Sequence, residues 1–143
     1  KPGEPNMFGL LGNEANAIEP KKRPLSSMTP TIVLKDDSPF LILGSPGGST
    51  IITTVMQNIL NVIVHDMNIQ EAVSSPRVHS QWLPDMVFHE KNGLSQEIID
   101  ELKKMGHDVR MRGSIGEANG IMINEKGFWG GPDSRGENTA IGY

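Results

Sequence analysis

Cysteine is absent from the 143-residue sequence, and its absence excludes several kinds of chemistry. A chain without thiols forms no disulfide, has no cysteine nucleophile and supplies no cysteine ligand to zinc. Aromatic residues amount to only 5%, and no apolar run is long enough to span a bilayer. The compartment stays open, because such a chain is compatible with the cytosol, the bacterial periplasm or the cell surface.

Basic residues are also few, since 13 lysines and arginines are outnumbered by 17 aspartates and glutamates, which leaves a net charge of −4. A nucleic-acid-binding protein needs a basic face, so we expect no nucleic-acid partner. The four histidines are dispersed and form no pair with the spacing of metal ligands. The sequence therefore predicts no metal site and no cofactor.

The first 24 residues contain four prolines and almost no periodic apolar pattern. A stretch of this kind in a compact protein is usually a lid, a binding loop or a linker, and a flexible tail is the alternative. We therefore divide the chain into a loop, residues 1–24, and a single domain, residues 25–143.

Apolar periodicity in the remaining sequence predicts an α+β domain. The predicted elements are strands at 31–35 and 40–43, helices at 49–67 and 69–73, a strand at 86–89, a helix at 95–105, and strands within 107–112 and 119–131. Residues 77–85 are predicted to be irregular and partly extended. The helix at 49–67 carries one continuous apolar stripe, formed by Ile52, Val55, Met56, Ile59, Val62 and Ile63.

The sequence GSPGGST, residues 44–50, joins the predicted hairpin to the long helix. Backbone N–H groups at a glycine turn before a helix form an anion site. A phosphate-binding loop would place lysine after the second glycine, but Ser49 follows Gly48 and the next lysine is Lys91. The residues thus favour an oxyanion hole over a phosphate site, while a purely steric role of the glycines stays open.

A second polar cluster, RPLSSM, lies upstream of this loop. The hydroxyls of Ser26 and Ser27, next to Arg23, could bind a carboxylate, although two serines in a loop are also ordinary surface polarity. No serine lies in a nucleophile elbow followed by an acid and a histidine in usable order. The chain therefore offers donors for an oxyanion and a carboxylate, but no evident nucleophile.

These motifs resemble a known family. KRPLSSMTPTIV and GSPGGSTIITTV, followed by EAVSSPRVHSQWLPD and GGPDSRGENTAIGY, are similar to the small subunit of the γ-glutamyltranspeptidases, which are N-terminal-nucleophile hydrolases. The resemblance covers essentially the whole chain. It implies an α+β fold that forms part of a four-layer αββα sandwich, with antiparallel sheets flanked by helices.

The resemblance also implies a reaction, γ-glutamyl transfer or hydrolysis on glutathione or other γ-glutamyl compounds. In the family, an N-terminal threonine exposed by self-cleavage attacks the γ-glutamyl carbonyl with its own α-amine as base. Water, an amino acid or a peptide then accepts the acyl group. On this basis Gly47 and Gly48 donate N–H groups to the oxyanion, and Ser26, Ser27 and Gly48 bind the substrate.

The nucleophile and the groups that bind the substrate α-amine are expected outside these 143 residues. The implied partners are therefore the large subunit of the same autoprocessed precursor and the preceding part of the small subunit. We expect residues 1–143 alone to be inactive and residues 25–143 to be an incomplete domain. The family also implies an extracytoplasmic location (periplasmic, secreted or cell-surface) and a bacterial source.

Two positions depart from the family pattern. Residues 1–24 resemble a lid loop over the substrate pocket, and Phe8 stands where many such lids have a tyrosine that closes the gate by a hydrogen bond. Lid closure is therefore expected to be looser. Thr50 stands where many relatives have arginine, which removes any salt bridge made from this position but leaves the backbone donors in place.

Other functions fit parts of the sequence. A relative with another amide substrate, such as a poly-γ-glutamate capsule depolymerase or transferase or a cephalosporin-acylase-like enzyme, would share most of the motifs. The intact Ser26–Ser27 pair favours a γ-glutamyl α-carboxylate over a bulky acyl group. A non-catalytic anion-binding module is the alternative from another class, and it would be expected to have a lysine near the glycine loop.

Overall fold

The computed structural model describes residues 3–6, 10–24 and 28–142. Its helices and strands lie between Thr31 and Gly131, with a short 3-10 turn at Glu14–Asn16 before them. In chain order they are β1 (Thr31–Lys35), β2 (Ser38–Gly44), a 3-10 turn (Gly48–Thr50), α1 (Ile51–Ile63), α2 (Ile69–Ser74), β3 (Val78–Gln81), β4 (Met86–His89), α3 (Gln96–Lys104), β5 (Val109–Met111), β6 (Asn119–Asn124) and β7 (Gly127–Gly131).

The strands form two sheets. One sheet has the order β1-β2-β6-β7, and all its neighbouring strands are antiparallel. The other has the order β3-β4-β5, in which β3 and β4 are antiparallel while β4 and β5 are parallel. The parallel pair is joined through α3, because parallel strands need a crossover connection.

Most predicted elements are present, with two differences. Helix α1 is shorter than the predicted 49–67, since it begins after a 3-10 turn and the chain takes a left-handed conformation at Asp66, with φ 54°. Strand β3 replaces part of the stretch predicted to be irregular. Its sequence, VHSQ, has no apolar alternation, so only the pairing with β4 makes it a strand.

The core lies between the four-stranded sheet and the helices α1 and α2. Leu41 and Leu43 project from β2 on one face and are almost completely buried. The cluster is completed by Val55, Val62, Ile69, Ala72, Val73 and Ala118. Since side chains alternate along a strand, Ile42 points to the opposite face of the sheet.

The apolar stripe of α1, continuous in the sequence, is not buried as one unit. Val55 and Val62 face the core, but Ile52, Met56 and Ile63 are 69%, 48% and 51% exposed. A helix packed on a sheet buries only the arc that faces it, and the apolar arc of α1 is wider than that contact. The helix therefore presents a second apolar side, away from the sheet.

Helix α2 approaches the sheet closely at Gly120. A Cβ atom at this position would lie 2.6 Å from Ile69 Cδ1 and 2.6 Å from Leu43 Cδ2. Only a residue without a side chain leaves room for both apolar groups. This glycine therefore sets the distance between the helix layer and the sheet.

The second sheet is attached to α1 by polar contacts. The Gln57 side chain accepts from Val78 N at 2.9 Å and donates to Val78 O at 2.7 Å, as a neighbouring strand would. Thr53 Oγ1 lies 2.7 Å from Nδ1 of the buried His79. These contacts fix β3 along α1.

A buried ionic cluster of Arg77, Glu90, Asp133 and Arg135 connects the two sheets. Arg77 precedes β3, Glu90 follows β4, and Asp133 and Arg135 follow β7. Arg77 is 2% exposed and Asp133 is 1% exposed. Because an unpaired charge at such depth is very costly, the four charges are paired with one another, although Arg77 Nε has no hydrogen-bond partner among the described residues.

Asp133 accepts hydrogen bonds at both carboxylate oxygens. Its Oδ2 atom accepts from Arg77 Nη2 at 2.6 Å and from Ala118 N at 2.7 Å. Its Oδ1 atom accepts from the backbone N and the Nη1 atom of Arg135, both at 3.0 Å. Burial alone would raise the pKa of Asp133, but these donors outweigh it, and the pKa is lowered.

Glu90 has an equivalent environment. It accepts from Arg135 Nε at 2.7 Å, from Ile115 N at 2.7 Å and from Arg77 N at 2.9 Å, and it pairs with Arg135 Nη2 as well. Burial again opposes ionisation, but the hydrogen bonds, above all those from Arg135, lower the pKa of Glu90. The two carboxylates together hold the backbone of Ile115 and Ala118, which flank residues 116–117.

We predict that Gly120→Ala destabilises the complete protein by about 1–3 kcal/mol, because the added methyl group overpacks the contact with Ile69 and Leu43. Thermal unfolding measures the effect. Gly113→Ala is the matched control, since a Cβ at Gly113 meets nothing within 4 Å. Equal unfolding midpoints for the two variants would contradict the proposed close approach.

We predict that Arg77→Met lowers the stability of the complete protein by about 3–5 kcal/mol, because it leaves the buried Asp133 carboxylate without its closest cation. Thermal unfolding again provides the measurement. Arg110→Met is the control, since Arg110 pairs with Asp108 at the surface and its loss should leave the unfolding midpoint unchanged. Similar midpoints for both variants would show that the buried pair is not essential.

The lowered pKa values of Glu90 and Asp133 predict acid sensitivity. Their contribution to stability is complete above the ordinary carboxyl pKa of about 4, and it is lost as the pH falls from there through the lower folded-state values. We expect the unfolding midpoint of Asp133→Asn to fall less steeply between about pH 5 and about pH 2 than that of the unmodified protein. Parallel curves would refute a depressed pKa at Asp133.

Candidate functional site

The loop between β2 and α1 has a backbone that only glycine adopts readily. Gly47 has φ 139° and Gly48 has φ 60°, and both lie in the region that side chains disfavour. A Cβ atom at Gly47 would also lie 2.6 Å from Thr50 Oγ1. Glycine is therefore required at this turn for steric reasons, in addition to any role of its backbone N–H groups.

The N–H groups of Gly47 and Gly48 are adjacent and available. Within the described part of the chain, neither group donates to a protein acceptor. Gly47 is exposed and Gly48 is half-buried. Both precede the thirteen-residue helix α1, whose dipole favours negative charge at this end. The loop therefore presents two neighbouring donors to an anion.

The carbonyl groups of the Pro46–Gly47 and Gly47–Gly48 peptides accept hydrogen bonds from the protein. Ser45 Oγ donates to Pro46 O at 2.7 Å, and Gly47 O accepts from Thr50 Oγ1 at 2.9 Å and from Thr50 N at 3.2 Å. In a trans peptide the C=O and N–H groups point in opposite directions. The bound carbonyls therefore direct the N–H groups of Gly47 and Gly48 away from the protein.

The loop is supported by the segment before β6. Ser45 is completely buried, and its Oγ atom accepts from Glu117 N at 3.0 Å. A Cβ at Gly47 would lie 3.2 Å from Gly116 Cα, which shows how closely the two backbones pass. Glu90 and Asp133 fix residues 115–118 from the other side. The ionic cluster therefore supports the loop of residues 44–50 that carries the Gly47 and Gly48 N–H groups, which we call the donor loop.

The structure brings Gly47 and Gly48 together at the predicted position. The predicted carboxylate ligands Ser26 and Ser27 lie outside the described residues, as does Phe8 of the predicted lid. Met28, which follows the serines directly in sequence, accepts a hydrogen bond from Ser45 N at 3.0 Å through its carbonyl. The segment that follows the serine pair therefore contacts the donor loop.

Sequence reasoning missed the role of two hydroxyl groups. By sequence alone Ser45 is an ordinary loop residue and Thr50 a possible N-cap of the following helix, whereas in the structure both side chains bind carbonyls of the loop. The Thr50 side chain accepts no capping hydrogen bond. The only signal in the sequence is the presence of hydroxyl residues on both sides of the PGG turn, which does not specify their partners.

The described residues, 3–6, 10–24 and 28–142, contain no group of three or more His, Cys, Asp or Glu side chains that could hold a metal ion. In the same part of the chain, the helices are too short or too polar to cross a bilayer.

Comparison with known proteins connects this geometry to a family. The sequence model of γ-glutamyltranspeptidase matches residues 1–143. The glutathione hydrolase proenzyme of Escherichia coli K12 is 46% identical over 145 residues, which cover 100% of this chain and 25% of that protein. The chain thus spans about a quarter of the length of this relative.

Solved structures agree with the sequence match. A mutant of Helicobacter pylori γ-glutamyltranspeptidase is 54% identical with a TM-score of 0.83, covering 95% of this chain and 75% of the other. γ-Glutamyltranspeptidase from Pseudomonas nitroreducens, complexed with L-DON, is 40% identical with a TM-score of 0.83, covering 100% and 76%. These similarities confirm the predicted N-terminal-nucleophile hydrolase fold. Since the family model matches every residue, the chain belongs to the γ-glutamyltranspeptidase family.

Proposed function

We propose that this chain supplies the oxyanion-stabilising loop and the α-carboxylate site of an enzyme that transfers or hydrolyses γ-glutamyl groups. The observation that carries the proposal is the pair of adjacent N–H groups at Gly47 and Gly48, which have no acceptor among the described residues and are oriented by bound carbonyls. An oxyanion hole needs preorganised donors of this kind. Membership of the family supplies the substrate class.

In the proposed reaction, a threonine outside these 143 residues attacks the γ-carbonyl carbon of a γ-glutamyl donor. Its hydroxyl proton passes to its own α-amine, and the carbonyl oxygen becomes an oxyanion that accepts from Gly47 N and Gly48 N. Collapse of this intermediate breaks the amide bond, and the leaving nitrogen takes the proton. Water or an acceptor amine then attacks the ester carbonyl and loses a proton to the α-amine, and the same donors stabilise the second oxyanion. Its collapse breaks the ester bond, and the threonine oxygen takes the proton back.

Ser26 and Ser27 are proposed to bind the α-carboxylate of the γ-glutamyl group. Their hydroxyls can both donate, and Arg23 nearby in sequence offers a balancing charge. The hydrogen bond between Ser45 N and Met28 O supports this proposal, because it links the residue after the serines to the donor loop. The carboxylate and the reacting carbonyl of one glutamyl group could then be bound by neighbouring segments.

The remaining polypeptide of a longer precursor is the proposed partner. One apolar surface is the sheet face opposite the core, where Ile32 and Phe128 are 63% and 79% exposed. The other is the outer side of α1, with Ile52 and Met56. Contiguous apolar faces of this kind mark interaction sites. The relative from Escherichia coli, a proenzyme about four times as long as the matched segment, supports this interpretation.

The complete protein is expected to release p-nitroaniline from L-γ-glutamyl-p-nitroanilide and not from the α-glutamyl isomer. In that protein, Ser26→Ala and Ser27→Ala should each raise KM by about 10- to 100-fold, as expected for loss of a hydrogen bond to a charged group. The kcat should change less, because the carboxylate is bound alike in the ground and transition states. Initial rates over a range of substrate concentrations give both constants.

Ser80→Ala is the matched control, since Ser80 is an exposed serine of β3, and it should leave both constants unchanged. A complete protein that binds anions but does not turn over the γ-glutamyl substrate would favour the non-catalytic alternative. A fall in kcat at constant KM for both serine variants would place the carboxylate site elsewhere.

A further inference from the structure

We infer that Ser45 and Thr50 are positioning residues for the oxyanion hole, each fixing one of the two donor peptides through its carbonyl oxygen. The inference rests on the proposed function and goes beyond it. It assigns a catalytic consequence to two side chains that do not themselves reach the reacting atoms.

The Pro46–Gly47 peptide is fixed by Ser45. The hydroxyl of Ser45 donates to Pro46 O at 2.7 Å, so the N–H of Gly47 is turned to the opposite side. Ser45 Oγ in turn accepts from Glu117 N at 3.0 Å, and its own hydrogen is donated to Pro46 O. Ser45 has no solvent exposure, so water does not compete for this bond.

The Gly47–Gly48 peptide is fixed by Thr50. The hydroxyl of Thr50 donates to Gly47 O at 2.9 Å, and the backbone N–H of Thr50 reaches the same oxygen at 3.2 Å. Thr50 is only 5% exposed. The carbonyl is thus held on the protein side, and the N–H of Gly48 is left on the solvent side.

Such anchoring matters because glycine provides little conformational restraint of its own. A peptide between two glycines can rotate with little steric cost, since neither flanking residue carries a Cβ. A rotated peptide would present a carbonyl oxygen to the developing oxyanion and repel it. The two hydroxyls therefore supply the preorganisation that an oxyanion hole requires.

The test uses the complete enzyme with Thr50→Val, Thr50→Ser and the control Thr54→Val. Valine keeps the shape of threonine but lacks the donor, and serine keeps the donor. Thr54 lies one turn further along α1, is fully buried and has no partner for its hydroxyl among the described residues, so its replacement should leave kinetics unchanged. Kinetics are measured with L-γ-glutamyl-p-nitroanilide.

We expect Thr50→Val to lower kcat about 10-fold, the effect of one hydrogen bond, with KM within about 2-fold of the unmodified enzyme. Affinity for a phosphonate analogue of the γ-glutamyl group, which mimics the tetrahedral anion, should fall by the same factor. Affinity for glutamate, which carries no such anion, should not change. Thr50→Ser should restore kcat and the phosphonate affinity.

The inference is overturned if Thr50→Val keeps the kcat of the unmodified enzyme, or if kcat falls while phosphonate and glutamate affinities fall together. Thr50→Val and Thr54→Val are also compared by thermal unfolding. The inference is also contradicted if Thr50→Val lowers both kcat and the unfolding midpoint but leaves the phosphonate affinity unchanged, because the loss of activity then reflects lost stability. Absence of turnover by the unmodified complete enzyme would instead refute the proposed function, so the two failures are distinguishable.

Ser45→Ala is a second, independent variant. It should lower kcat and phosphonate affinity in parallel, as Thr50→Val does. Because it also removes the hydrogen-bond partner of Glu117 N and of Pro46 O, a loss of stability is expected with it. A folded Ser45→Ala enzyme with unchanged kcat would remove Ser45 from the inference.

Discussion

The ion pair between Arg77 and Asp133 is the interaction on which the other contacts depend. Both side chains are almost completely buried, so the loss of either one leaves the other charge buried without its closest counter-charge. Asp133 also accepts from Ala118 N, and Arg77 donates to Ile115 O at 2.8 Å. One buried pair thereby joins the start of β3, the end of β7 and the backbone that precedes β6.

This constraint extends to the donor loop through backbone groups. The segment fixed by the ionic cluster supplies Glu117 N to Ser45, whose hydroxyl binds Pro46 O. The buried ionic cluster is thus connected to a turn whose two glycines provide little conformational restraint of their own. In an oxyanion hole this connection is useful, because donors that are already oriented need no reorganisation when the charge develops.

The chain has a packed core and also exposes apolar side chains on two faces. Its core lies on one face of the four-stranded sheet, while the opposite face and the outer side of α1 expose apolar side chains. The site shows the same division, since it offers donors for an anion and has no evident nucleophile. This division is consistent with the proposal that the chain works together with another polypeptide segment.

Local features were predictable from the sequence alone. The hairpin, the amphipathic α3 with Ser95 as its N-cap and the glycine turn at Gly47 and Gly48 all follow from short-range patterns. Strand β3 was not predictable from the sequence, because its extended form depends on pairing with β4. The roles predicted for Ser26, Ser27 and Phe8 remain predictions.

The sequence by itself determined most of the helices and strands and the glycine turn, since these depend on residues a few positions apart. The tertiary structure decided which side of α1 is buried, which carbonyls Ser45 and Thr50 bind and how the charges pair. Arg77 and Asp133 are 56 residues apart, and no periodicity relates them. Only the folded chain brings them together, and their contact offsets much of the cost of burying the two charges.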